Sequence, residues 1–148
     1  MPAGSIGMLD ADHHIHLIPS EKVLMISIEH SAIKKVENDY EVTCVLKLSV
    51  EGIPHQFEDA MRFSFASAHP PAQDFMTELT FVQNHIIKDI FDKSLSGELK
   101  MCNPDDPQAK ECGVTISSLV KSRMLTSKNL KDVLARHGAL PDSMTFGR

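Results

Sequence analysis

At 148 residues, 42% hydrophobic and 24% charged, the chain has enough apolar content to bury a core, which excludes disorder as its main state and removes any need for disulfides or metal to hold it. Its aromatic content of 5%, with no Trp and one Tyr, leaves few residues for the base-stacking platform that single-strand binders use. The net charge of −5 is uneven: residues 1–114 hold 9 Lys/Arg against 18 Asp/Glu, while residues 115–148 hold 6 against 2, so an acidic body meets a basic C-terminal segment, either by packing against it or by offering partners a surface of each sign.

The N-terminal stretch, 1–12, carries Pro2, Gly4 and Gly7 and is expected to be a flexible lead-in. It has no basic region followed by an apolar one, as a secretory leader would. Three cysteines, an odd number, argue against a secreted disulfide framework. The longest apolar run, Val23-Leu24-Met25-Ile26, is far too short to span a bilayer. The expected setting is the cytosol, with no membrane partner.

Residues 13–66 are expected to be β-rich. A short edge strand over 13–18 brings the string Asp12-His13-His14-Ile15-His16. On a strand, Asp12, His14 and His16 share one face, and a carboxylate with two imidazoles is a sound ligand set for zinc, iron or nickel. The same string resembles the first strand of metal-dependent amidohydrolase barrels, but that fold needs ~250 residues, which excludes it here.

Residues 23–36 fit a strand or a helix, since Ile28, Ala32 and Val36 also make a helical stripe. The dense Val23–Ile28 run favours a strand. Glu37-Asn38-Asp39 then becomes a three-residue hairpin loop, with Val36 opposite Tyr40, Ala32 opposite Cys44, Ile28 opposite Leu48 and Ile26 opposite Val50. A strand this long predicts a bulge near His30–Ser31.

From Tyr40 to Ala66 the pattern is clearest. Tyr40, Val42, Cys44, Leu46, Leu48 and Val50 alternate with mostly polar residues, as do Phe57, Met61, Phe63 and Phe65. A four-residue loop sets Leu48 opposite Phe57, Cys44 opposite Met61, Val42 opposite Phe63 and Tyr40 opposite Phe65, so both apolar rows fall on one face. A slip of one residue would turn one row over. Two polar residues interrupt the row: Asp59 opposite Leu46, and His30 on the other side of the same leucine. Together they line a candidate pocket for acid–base chemistry, unless a bulge turns them to solvent.

The main helix is expected over 73–95, where Phe75, Leu79, Val82, Ile86 and Ile90 form one face that Met76 and Ile87 widen. Gly97 is its expected C-cap. Phe81 lies nearly opposite this stripe, with His85 one turn on. An aromatic there is either a lone exposed residue or the anchor of a contact with a partner or a second copy. Residues 98–113 form a polar loop, in which the nine residues between Cys102 and Cys112 match no zinc or redox spacing.

The C-terminal segment, 114–148, is basic and mostly helical. Val114–Met124 reads as strand or helix, and Thr126 or Ser127 caps a helix through Arg136 that ends at Gly138 and Pro141. Lys121, Arg123, Lys128, Lys131 and Arg136 surround this possible helix–turn–helix and are candidate contacts for nucleic-acid phosphates.

The expectation is therefore a single α+β domain: an antiparallel meander of three or four strands, covered on one face by a long amphipathic helix, with a C-terminal helical segment. No Gly-x-Ser-x-Gly and no phosphate-cradling glycine loop is present, so the sequence points away from catalysis and implies no cofactor. The expected work is binding of a protein partner, as an inhibitor, adaptor, immunity-type or chaperone-like protein does, with a homo-oligomer as one form of that contact. The alternatives are a nucleic-acid-associated regulator or a small metal-dependent enzyme.

Overall fold

The computed structural model describes residues 5–9, 15–96 and 115–146. Two short strands, β1 (Ser5–Leu9) and β2 (Ile15–Pro19), pair antiparallel in a ribbon of their own. The main sheet follows as a meander of β3 (Val23–Val36), β4 (Asp39–Val50) and β5 (Phe57–Ala66), and β6 (Thr145–Phe146) adds to β5 from the far end of the chain. Helix α1 (Gln73–Ser96) follows β5, and α2 (Ile116–Thr126) and α3 (Lys128–Arg136) precede β6. The class is α+β with antiparallel sheets, as the patterning predicts. Part of the expected lead-in is instead strand β1, whose Ile6 and Met8 are fully buried. Two apolar residues, one on either side of Gly7, are too few to register as a strand pattern.

The β4–β5 register matches the expected one: Leu48 faces Phe57, Leu46 faces Asp59, Cys44 faces Met61, Val42 faces Phe63 and Tyr40 faces Phe65. The β3–β4 register does not. A two-residue turn, Glu37-Asn38, replaces the three-residue loop, with Glu37 at a φ of 57°, the left-handed conformation that tight hairpin turns demand. Val36 therefore pairs with Asp39, and Ile33 rather than Ala32 joins the row at Val42. The bulge predicted near His30–Ser31 is present, and beyond it Ile28 pairs with Leu46 and Ile26 with Leu48. Shorter turn and bulge together move β3 by two residues, so Ile28 keeps the intended face with a different partner.

Over this apolar row lies α1. Phe75, Leu79, Ile86, Ile87 and Ile90 are buried, and the Phe75 ring sits 5.5 Å from that of Phe65. Full burial of each such side chain is worth about 1.5–3 kcal/mol, which is what fixes the helix to the sheet. Gln83 breaks the stripe yet is completely buried; its amide donates to the Met124 sulfur at 3.5 Å and ties α1 to α2. Asn84 accepts the Ile28 N–H at 3.2 Å, so the helix also covers part of the outer edge of β3.

The ambiguous 114–124 stretch is helical from Ile116. Thr115 caps it, sharing reciprocal hydrogen bonds with Ser118, and Ile116, Val120 and Met124 are buried at four-residue steps. Ser127 closes α2 with its N–H on the Met124 carbonyl and opens α3 by accepting the Leu130 N–H. Gly138, at a φ of 81°, terminates α3, and the chain returns to β5 through a hydrogen bond from Leu140 N–H to the Ala66 carbonyl.

Candidate functional site

Helices α1 and α3 each contribute one strip of side chains to a concave surface. Thr77, Glu78, Phe81, Val82, His85 and Ile86 come from α1, and Ser127, Asn129, Asp132, Val133 and Arg136 from α3 and its cap. The space between them is a groove of about 640 Å³, within the range of small-ligand and peptide-anchor pockets. Val82, Ile86 and Val133 form its floor, continuous with the core. Phe81 stands on its wall and is 76% exposed.

One end of the groove is polar. Glu78 lies 2.7 Å from Nε2 of His137 and 3.3 Å from the Arg136 guanidinium, which joins α1 to the end of α3. These two hold the Glu78 carboxyl below the usual range, the imidazole hydrogen bond first and the guanidinium second. His137 is buried, its ring edge-on to Phe75 at 5.2 Å. Asp74, one turn before Glu78 on α1, brings a second carboxylate, and one ligand atom from each of Asp74, Glu78 and His137 lies within 4.8 Å of the others.

Three of the residues expected from sequence meet in this groove: Phe81, His85 and Arg136. The other cations do not converge there. Arg123 pairs with Asp89 of α1 at 2.6 Å. Asp89 and Glu78 stand about 16 Å apart along α1 at 1.5 Å per residue, so the basic segment is spread against an acidic helix. Lys121, Lys128 and Lys131 line no part of the groove and make no ion pair among the described residues.

His30 and Asp59 do not flank the same leucine, as the expected register had them. Leu46 is flanked by Ile28 and Asp59, while the backbone of His30 pairs with Cys44. The two-residue shift of β3 is the cause. Asp59 does lie on the apolar row, half-buried, with its Oδ2 enclosed and without a hydrogen-bond partner. Of the N-terminal metal candidates, Asp12 and His14 lie outside the described residues, as do Gly97, Cys102 and Cys112. His16 is exposed on β2, with its ring 5.6 Å from Phe57.

Sequence reasoning missed Glu78, Asp132, Val133 and His137. The four-residue step from Asp74 to Glu78 marks a common helix face, but nothing local shows that α3 delivers His137 to it. No helix among the described residues is long and apolar enough to cross a membrane. Comparison of the chain with protein-family models, with curated proteins and with solved structures returned no match.

Proposed function

We propose that this is a non-catalytic binding protein that docks a segment of a protein partner in the groove between α1 and α3. The observation that carries the reading is Phe81. Exposed aromatics often stand singly and mean nothing, but this one forms the wall of a concave surface whose floor is Val82, Ile86 and Val133. Buried aromatic anchors seated in such surfaces dominate interface energies. The acidic body, with 18 Asp/Glu against 9 Lys/Arg over residues 1–114, favours a partner whose apolar anchor is surrounded by basic residues, because complementary fields speed encounter and select among partners.

The test compares wild type with Phe81→Glu in a pull-down at moderate salt with nuclease, alongside light scattering for mass in solution. A protein retained by the wild type and lost by the variant supports the reading. Retention of the same proteins by both overturns it. A wild-type dimer that Phe81→Glu converts to a monomer would make the partner a second copy.

A second reading, association with nucleic acid, has Lys121, Lys128 and Lys131 in its favour, cations that no carboxylate neutralises among the described residues. It predicts duplex binding that falls steeply with salt and is lost in the Lys128→Glu, Lys131→Glu double variant.

A further inference from the structure

We propose that Asp74, Glu78 and His137 form a binding site for a divalent transition-metal ion, with Zn²⁺ as the reference ion, at the junction of α1 and the end of α3.

The donor set is one imidazole and two carboxylates, ligands that zinc accepts at about 2.0–2.2 Å. The two carboxylates balance the charge of a divalent ion while the imidazole stays neutral. Their arrangement is close to what coordination needs. Glu78 Oε2 and His137 Nε2 are 2.7 Å apart, and ligands sharing a tetrahedral ion with such bonds sit roughly 3.3 Å apart. This pair therefore opens by about half an ångström. All three donor atoms already lie within 4.8 Å of one another, and Asp74, an exposed side chain in the first turn of α1, closes the remaining gap by rotation.

Two further features favour an ion here. His137 is buried with its ring edge-on to Phe75, so packing limits the rotation of the imidazole that would bind the ion. The carboxylates are also unequally served: Glu78 is held by the Arg136 guanidinium and the His137 imidazole, whereas Asp74 has no ion pair among the described residues. Arg136, 3.3 Å from Glu78, competes with the ion, but its side chain is 58% exposed. It can swing into solvent, since exposed ion pairs are weakly held. Three protein ligands leave a coordination position open beside the groove that Glu78 lines. The ion would join α1 to α3, so its binding free energy adds to the stability of that junction.

The experiment is titration of the full, chelator-stripped chain with Zn²⁺ by calorimetry, with thermal unfolding read in parallel. Replacing buried His137 endangers the fold, so the variants are Asp74→Asn and Glu78→Gln on α1. The wild type is expected to bind one ion at this site and to melt at a higher temperature with Zn²⁺. Asp74→Asn and Glu78→Gln are expected to weaken binding at least tenfold and to lose the thermal shift. Ions can also bind the N-terminal histidines, so the His14→Ala, His16→Ala double variant is measured too and is expected to keep both the tight site and the shift. Undiminished tight binding in Asp74→Asn overturns the proposal, as does its loss in the histidine double variant.

Discussion

Arg123 Nη1 lies 2.6 Å from Asp89 Oδ2, so a cation of the basic C-terminal segment is spent inside the fold, tying α2 to α1. Lys93, one turn along α1, reaches the same carboxylate at 3.1 Å. Lys93 first, and Arg123 after it, hold Asp89 below the ordinary aspartate value of 3.8. A carboxylate with a lowered folded pKa contributes stability that is fully present above its unfolded pKa and is lost as pH falls through the folded value. Asp89 is 43% exposed, so the contribution is discounted for solvent screening to about 0.5–1 kcal/mol. Asp89→Asn should lose that amount in urea unfolding at pH 7 and should show a shallower decline than wild type below about pH 4.

Cys44 gives the opposite pH signature. Burial pushes its thiol up to about 11, and the hydrogen bond with Gln83 and the charge of Lys121 pull back only part of the rise. Its S–H points at the Met61 carbonyl, 3.6 Å away. A folded pKa above the unfolded one means that the native state favours the proton, so stability falls as pH rises from about 9 to about 11. At pH 8, iodoacetamide should leave Cys44 unmodified in native protein and label it after denaturation. Peptide mass spectrometry, which separates it from Cys102 and Cys112, reads this directly. Labelling at equal rates in both states would contradict the buried position.

Asp59 costs stability where it stands. Its Oδ2 is enclosed without a partner on a row that otherwise reads Phe57, Met61, Phe63 and Phe65. An unpaired buried acceptor costs about 1–3 kcal/mol. Asp59 is only half-buried, so Asp59→Val should raise stability by about 1 kcal/mol, the low end of that range. Chemical denaturation of the two proteins measures it, and a less stable variant would show that the carboxylate has a partner in solution.

Gly138 is required by backbone conformation more than by space. Its φ of 81° is one that side-chain-bearing residues adopt at a cost of about 1–2 kcal/mol. A Cβ there would also lie 2.5 Å from Nε2 of His69, but that exposed ring can move aside. Gly138→Ala should therefore lose about 1–2 kcal/mol, and adding His69→Ala should recover little of it. Recovery of most of the loss would place the cost in the contact instead.

The β4–β5 hairpin was legible because two apolar rows of matching parity admit one register, and a slip would expose Leu48 or Phe57. Helix α1 was legible because Phe75, Leu79, Ile86 and Ile90 repeat over nearly its full length. The β3 register was not. Whether Glu37-Asn38 or Glu37-Asn38-Asp39 makes the turn depends on Glu37 adopting a positive φ, which its residue type does not advertise. That one residue, with the bulge, moved the backbone of His30 from beside Leu46 to beside Cys44. In α2, Ile116, Val120 and Met124 satisfy both strand and helix periods over a short span, and the cap at Thr115 decides between them. The groove lay beyond reach for another reason: it belongs to neither helix alone, and only tertiary packing brings Phe81 and Val133 to one surface.

Ser127 belongs to two helices at once, the end of α2 and the cap of α3. The corner therefore has no slack. A substitution at Ser127 removes one capping bond, worth about 1 kcal/mol, but an inserted residue does something different in kind. If it extends α2, every later residue turns by about 100° around the helix axis. Asp132, Val133 and Arg136 would then rotate off the face that meets α1, and His137 would leave Glu78. The surface between the helices is thus sensitive to chain length at a single point, far more than to the chemistry of the residue that stands there.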